Sequence, residues 1–406
     1  MKNEILVLLT SNYPYGKGES YLDNEIGYLS SAFKKIIIIS SDIDGPLTRS
    51  LPINTIVERF NYKINTLDKI YSFKNIFNKI LLKEINFTKT NSFFKLKVNL
   101  ISLYRADKIN HFIKHINKKH NIDQSKCVYY SYWMDASAIA LSISGFPKKI
   151  CRVHGWDLFF ERNSENYLPL RKHLLESIQV FSISSLGKKY LFQKFKDKKY
   201  LFQNKIKNDA VLVSRLGTKE LKINKLDAKQ FRMVSCSAVI PLKRVRLIID
   251  SLACLNSLNL EWVHFGDGPL FEEIKCYAKE KQINAVFKGN VPNQEVLNYF
   301  QTISIDLFIN LSTSEGIPVS IMEAFSCGIP AIATNVGGTS ELVNNENGIL
   351  LKEHPTDIEV AKEIEVFYKL DKKKLEEKRD QAYLTWKKKF NAEKNYTEFT
   401  NIISNL

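Results

Sequence analysis

The sequence predicts an α/β protein built from two Rossmann-like domains, each a parallel sheet covered by helices on both faces, facing one another across a cleft. Three observations carry this. Short apolar runs rich in Ile, Val and Leu alternate along the chain with longer amphipathic segments, and alternating β and α elements argue for a parallel sheet. With 406 residues there is enough chain for two cores. The pattern also restarts after a polar, Lys-rich stretch at 205–230, which reads as a domain linker. The expected boundaries are 1–210 for the first domain and 211–390 for the second, with a terminal helix at 391–406 crossing back to the first.

The elements run in order along the chain. The first half reads strand EILVLLT, a glycine-containing loop SNYPYGKGES, helix YLDNEIGYLSSAF and strand KIIIIS. A basic helical region comes next, then strand CVYYSY, helix MDASAIALSIS, strand KKICRVHG, helix LPLRKHLLES, strand QVFSISS and helix GKKYLFQKF. The second half reads strand FRMVSCSAVI, helix RVRLIIDSLACLNSL, strand EWVHFG, helix FEEIKCYAKEKQ, strand AVFKG and helix QEVLNYF.

Composition narrows the function. A hydrophobic fraction of 44% describes a globular chain. The six cysteines form no CxxC pair and no zinc spacing, which fits a reducing cytoplasm. No apolar run is long enough to span a bilayer, and ILVLLT is too short for a signal-peptide core. The net charge of +16 asks for an anionic partner. Its excess concentrates in 61–120, where 13 Lys or Arg face 3 Asp or Glu among apolar residues. That mixture suits an anionic membrane surface, with NIFNKILLKEINF (75–87) as the amphipathic piece. No nucleic-acid module is recognisable, so no nucleic-acid partner is expected.

The most informative stretch is 304–335. SIDLFINL reads as a buried strand, PAIATN as another, and VSIMEAFSCG between them as a helix, with Pro318 in its first turn and Gly328 at its C-terminal cap. A right-handed crossover places both strands parallel and puts the loop SEGIP at the carboxyl edge, where open α/β sheets bind ligands. The first N–H groups of the helix can meet an anion such as a phosphate, and Gly316 allows close approach. Glu315 in the loop and Glu323 in the helix can each accept hydrogen bonds from a pair of hydroxyls. One carboxylate per diol and a helix end per diphosphate make a cradle for a nucleotide sugar.

Weaker motifs gain meaning from their order: PLKRV with Lys243, FGDGPL with Gly266 and Gly268, GNVP with Val291, then SEGIPVSIMEAFSCGIPAIATNVGGTSELV. In that order the chain closely resembles the family-4 retaining glycosyltransferases, glycosyl transferases group 1, of GT-B fold. The E-x7-E spacing with its flanking Gly and Pro is the specific part. The resemblance implies a nucleotide-diphospho-sugar donor held by the C-terminal domain and a glycan or lipid-linked acceptor held by the N-terminal one. It implies Glu323 on the donor ribose, Glu315 on the donor-sugar hydroxyls, and Lys243 with the backbone of Gly316, Ile317, Pro318 and Val319 at the diphosphate. Gly266 and Gly268 would line the donor site, and the base would lie near Val291. In the first half, Gly16 and Gly18 match the family's glycine loop near the acceptor and the diphosphate, and His154 in RVHGWD matches a histidine beside the donor sugar.

The resemblance further implies a metal-independent hexosyltransferase that needs no cofactor beyond its donor, working peripherally on the inner face of a bacterial cell membrane in lipopolysaccharide or capsule synthesis. One departure stands out: where the family often has an Arg five residues before the lysine, this chain has Ala238, leaving Arg244, Arg246 or Arg215 to compensate. Three other readings compete. SDIDG (41–45) holds a DxD, a metal motif of the other major glycosyltransferase architecture; the scaffold also suits a sugar-nucleotide epimerase or a silent nucleotide-sugar-binding subunit.

Overall fold

Alternation of side chains along each strand decides how the sheets are buried. The computed structural model describes residues 3–16, 18–41, 45–61, 63–89, 92–196, 209–221 and 230–406. The chain divides into two units, Met1–Arg215 with Tyr396–Leu406, and Leu216–Asn395. The first unit holds seven strands: β1 (Ile5–Thr10), β2 (Lys35–Ser40), β3 (Thr55–Arg59), β4 (Cys127–Ser131), β5 (Lys149–Val153), β6 (Gln179–Ser182) and β7 (Val211–Val213). Their order is β3-β2-β1-β4-β5-β6-β7, and every neighbouring pair is parallel.

Because the strand period is two, β1 feeds two separate cores. Val7 and Leu9 join Ile37, Ile39 and Tyr129 under the helix Phe93–Lys119. Leu6 and Leu8 join Ile36, Ile38 and Tyr130 on the other face, under the helix Leu22–Ala32 and the C-terminal residues Phe399 and Ile403. Both faces being covered explains why these strands read as unbroken apolar runs.

The second unit repeats the plan with β8 (Phe231–Cys236), β9 (Leu260–Phe265), β10 (Ala285–Gly289), β11 (Leu307–Asn310), β12 (Ala331–Thr334) and β13 (Gly348–Leu351). Their order is β10-β9-β8-β11-β12-β13, again all parallel. The helix Val319–Ser326 crosses from β11 to β12, with Pro318 at its N-cap and Gly328 in the left-handed region just past its end, as its sequence predicts.

Part of the expected linker is structure. Val211–Val213 pairs with β6 as the seventh strand, and Thr218 bridges to Asn391. The three-residue apolar run that interrupts the polar stretch is therefore an edge strand.

One buried polar contact ties the first unit together. Arg152 on β5 is fully buried and donates to the equally buried Glu25 of the helix Leu22–Ala32 and, at 3.3 Å, to Ser214 Oγ. Its guanidinium lies 4.2 Å from the centroid of the Phe399 ring. Removing one partner of a buried pair strands the other charge, at a cost of about 3–5 kcal/mol. Arg152→Met should therefore lower the thermal midpoint sharply, and adding Glu25→Leu should recover much of the loss. Equal stability of the single variant and the parent in thermal denaturation contradicts this account.

Candidate active site

Strand order fixes where the second sheet can hold a ligand. From β8 the chain moves to β9 and β10 on one side, whereas β11 lies against the other side of β8. The loops leaving the carboxyl ends of β8 and β11 therefore diverge and leave a crevice. Lys243 stands in the β8 loop, at the end of the short turn Pro241–Lys243, and Glu315 in the β11 loop. Their side chains meet there, Lys243 Nζ donating to Glu315 Oε1 at 2.5 Å. The same oxygen accepts from Ser312 Oγ at 2.6 Å and Asn310 Nδ2 at 3.4 Å.

Backbone contacts hold the loop in place. Thr313 N donates to Leu242 O at 2.8 Å, and Thr334 Oγ1 to Ser312 O at 2.5 Å. Gly338 N donates to Gly316 O at 2.9 Å, which draws the VGG turn against the Glu-Gly pair. Arg244, whose backbone is left-handed, donates to the carbonyls of Leu311, Ser312 and Glu353. A guanidinium spent on three carbonyls is a clamp for the loop, so Arg244 does not replace the Arg absent at Ala238. Arg246 faces elsewhere, 3.7 Å from Glu273 and 3.9 Å from the Tyr277 ring centroid, and Arg215 belongs to the first unit, donating to Ser185 Oγ at 2.8 Å. Among the described residues of the second unit, Lys243 is the cation whose side chain meets Glu315.

Beside it the helix Val319–Ser326 begins with no side chain closing its first turn, which leaves its leading N–H groups for an anion. Gly316 and Ile317 lead into Pro318, its N-cap. Glu323, one turn further in, is buried and accepts from Asn293 Nδ2 at 3.0 Å. Asn293 opens the helix that follows β10, two residues beyond half-exposed Val291, so the expected base and ribose positions are neighbours. Burial, opposed only by that amide, raises the Glu323 carboxyl from 4.5 to about 7.

The Gly-Asp-Gly motif has a steric explanation. Gly266 has φ +128, and a Cβ there would lie 1.9 Å from Ser237 O; one at Gly268 would lie 2.6 Å from Val239 O. The loops after β8 and β9 are laced together, Ser237 N donating to Phe265 O and Val239 N to Asp267 O. The two glycines let those loops touch and so set the position of Lys243.

The first unit has its own crevice, between β1 and β4. The loop after β1 turns its amides inward: the N–H groups of Ser11, Asn12 and Tyr13 donate to the Glu19 carboxylate at 2.9, 2.7 and 2.6 Å, and Trp133 Nε1 does so at 2.5 Å. Gly16 supplies a left-handed turn, φ +58, and Gly18 leaves room for Asn12, whose Oδ1 a Cβ would meet at 2.8 Å. Arg49 binds the carbonyls of both glycines. The amides of this loop therefore hold an internal carboxylate.

His154 follows β5 and is buried among Tyr21, Tyr132 and Trp133, with ring centroids 5.6, 4.8 and 4.4 Å away. Among the described residues neither ring nitrogen has a hydrogen-bond partner, and Asp157 stands 4.0 Å off. Burial pulls the imidazole below its usual value despite Asp157, so it is neutral near pH 7 and can donate from one nitrogen while accepting at the other. Asp157 accepts instead from the backbone N–H of His154 and Met134, at 2.8 and 3.0 Å, fixing the two loops. The DxD aspartates, Asp42 and Asp44, lie outside the described residues.

Residues 218–385 match the family model described as glycosyl transferases group 1. They form a glycosyl transferases group 1 domain. The matched segment lies within the second unit and contains Lys243, Glu315 and Glu323. The chain is similar to the O-antigen biosynthesis glycosyltransferase WbnH of Escherichia coli, 27% identical over 222 residues, covering 54% of this chain and 58% of that one. It is also similar to Protein CapJ of Staphylococcus aureus, 35% identical over 116 residues, 27% of this chain and 29% of that one. The chain thus spans less than two thirds of the length of these curated relatives. Among solved structures it resembles Anabaena Alr3699/HepE in complex with UDP, at TM-score 0.68 and 17% identity, over 99% of this chain and 100% of that one. The fold is GT-B.

Four residues of these two crevices carry no motif signal of their own. Asn293 is one polar letter in a loop, Ser312 and Arg244 act through contacts that the local sequence does not show, and Glu19 sits in the glycine loop without a spacing to mark it. Glu323 also gives a test of burial. Below about pH 4.5 its carboxyl is neutral in folded and unfolded chains alike; the cost of holding it buried grows as pH rises and is complete above about 7. At about 1.4 kcal/mol per unit this amounts to ~3 kcal/mol. Glu323→Gln should therefore raise the thermal midpoint at pH 8 and leave it unchanged at pH 4. A uniform shift at both values, measured by calorimetry, points to packing instead.

Proposed function

We propose that the protein is a retaining, metal-independent glycosyltransferase that moves a hexose from a nucleotide-diphospho-sugar to a hydroxyl of a glycan or lipid-linked acceptor in bacterial surface-polysaccharide synthesis. The observation that carries this is the juxtaposition of Lys243, Glu315, an uncapped helix start and a buried carboxylate at one crevice of the group 1 domain. The names of the relatives agree: one is an O-antigen biosynthesis glycosyltransferase, and a structural neighbour was solved with UDP.

The chemistry rests on the charge that must be stabilised. When the bond between the sugar C1 and the β-phosphate oxygen breaks, negative charge builds on the phosphate. Lys243 and the N–H groups at Val319 and the residues after it stabilise that charge without reorganising water. Such charge-assisted contacts contribute about 1.5–3 kcal/mol each. To receive the phosphate, Lys243 turns from Glu315, whose carboxylate then accepts from the sugar hydroxyls. Glu323 takes the ribose diol, with the base near Val291. The acceptor oxygen attacks C1 on the face the phosphate leaves, and its proton passes to the departing phosphate oxygen. By resemblance His154, neutral and with both nitrogens open, bonds a hydroxyl of the transferred sugar. Gly266 and Gly268 serve the donor through the loop that carries Lys243, and Gly16 and Gly18 shape the loop beneath the acceptor.

Labelled-sugar transfer from a panel of nucleotide sugars to a membrane lipid extract tests the reading. Lys243→Ala, which loses a charge-assisted contact made as the phosphate leaves, and Glu323→Ala, which loses the ribose contact, should each lower kcat/KM by about 10- to 150-fold. Parent-like turnover in both sinks it, and donor interconversion with no acceptor present favours an epimerase. Binding should also depend on pH. Hydroxyls that donate to Glu323 favour its ionised form, so nucleotide-sugar affinity should fall as pH drops below about 7. Glu323→Gln should abolish that dependence in a calorimetric titration.

A further inference from the structure

The stretch from Thr66 to Lys89, with Phe93 beyond it, is inside out. Its buried side chains are mostly polar, Asp68, Ser72, Asn75 and Glu84, whereas Leu67, Ile70, Tyr71, Phe73, Phe77 and Phe93 are exposed, Phe77 by 85%. This is a built arrangement. Asp68 Oδ1 accepts from Tyr104 OH at 3.0 Å and Oδ2 from Asn65 N at 2.9 Å, and Glu84 Oε1 accepts from Tyr167 OH at 2.8 Å. Ser72 Oγ donates to Lys69 O at 2.6 Å. Asp68 is satisfied by Tyr104 of the helix Phe93–Lys119, Glu84 by Tyr167 and Ser72 within its own turn, while Asn75 Nδ2 has no partner among the described residues; turning these groups inward turns the apolar groups outward. A helical face of bulky side chains projecting into water costs apolar exposure that soluble surfaces rarely carry contiguously.

The charge on this face is one-sided. Withdrawing Asp68 and Glu84 removes the segment's two acids from the surface, while Lys69, Lys74, Lys79, Lys83 and Lys89 stay exposed. Lys74 lies 3.4 Å from Asp107 of the long helix, and Glu165 accepts from Ser92 at the segment's far end. We propose that this segment docks the protein on an anionic membrane, with Phe73 and Phe77 entering the acyl boundary and the lysines meeting lipid phosphates. A second copy of the chain would set lysine against lysine. A neutral apolar partner would leave the lysines without a role. The contribution of the long helix, part of the basic region the sequence pointed to, is different: its Leu100, Leu103, Ile109, Ile113 and Ile116 are core.

The test uses the full chain in sedimentation with phosphatidylcholine vesicles, with and without phosphatidylglycerol. The parent should partition onto the anionic vesicles, and rising salt should release it. Phe73→Ser combined with Phe77→Ser should weaken partitioning more than ~10-fold. Lys79→Gln and Lys83→Gln should each weaken it about fivefold, and only on the anionic vesicles. Thermal midpoint and nucleotide-sugar binding should be unchanged in all variants, which keeps the result separate from the transferase reading. Unaltered partitioning of the Phe variants, or equal binding of the parent to both vesicle types, overturns the proposal. So does a parent dimer in gel filtration that the Phe variants abolish, because a second copy would then cover the face.

Discussion

The constraint on which the rest depends is the reversal of strand order in a parallel sheet. Where two neighbouring strands send their connections opposite ways, their carboxyl-end loops part, and the exposed backbone there must find partners. Both units meet the demand with a glutamate. Between β8 and β11 it is Glu315, bound by Lys243, Ser312 and Asn310; between β1 and β4 it is Glu19, bound by three amides and an indole. The difference in partners is a difference in use. A lysine on a flexible stem can exchange one anion for another, so on the transferase reading the ion pair keeps a place for a phosphate. A carboxylate clasped by consecutive amides is part of the loop, and Glu19 keeps its left-handed backbone, φ +54, to stay there.

Glu323 shows why such a site is not optimised for stability. An apolar helix interior would take Leu or Met at this position with better packing and no desolvation cost. A buried carboxylate with one amide partner is instead kept short of hydrogen bonds. On the transferase reading, the shortage gives a diol something to complete. The same reasoning covers His154, whose ring is packed on three sides by aromatic rings while both nitrogens lack partners. Unsatisfied buried polar atoms are destabilising by themselves, and both occur at the carboxyl edge of a sheet.

Local signals are legible in the sequence and contact-borne ones are not. The strand, loop, helix and strand at 304–335 are set by apolar runs, Pro318 and Gly328, all within one window. The two doubly covered sheets are announced by unbroken Ile and Val runs. The short strands β3, β7 and β13 escape because they are edges or near-edges with mixed burial, where the apolar signal is diluted. Gly-Asp-Gly reads as a ligand loop from its spacing, but the spacing does not show that its glycines also make room for Ser237 and Val239. Arg244 looks like spare charge because nothing in PLKRV shows that its guanidinium reaches the carbonyls of Leu311 and Ser312, far along the chain. The basic region at 61–120 stands out by composition, but its two parts differ: a buried long helix and an outward-facing apolar segment. Hydrophobic count is blind to which face of a short helix is inside.

The two units also differ in how much sequence they share with known proteins, and physics suggests why. The family match stops at 218–385, inside the second unit, whereas the structural likeness runs along 99% of the chain. On the transferase reading the second unit must recognise a diphosphate and a ribose. Those groups demand a cation, a free helix start and a carboxylate at fixed offsets, so the solution leaves a motif. On the same reading the first unit would recognise an acceptor that changes with each polysaccharide, against a wall of aromatic rings and a loop closed by its own glutamate. Many sequences build an aromatic wall, since apolar contact needs area more than exact placement. A shared fold with divergent sequence is the expected result when one half of a protein answers to a constant ligand and the other to a variable one.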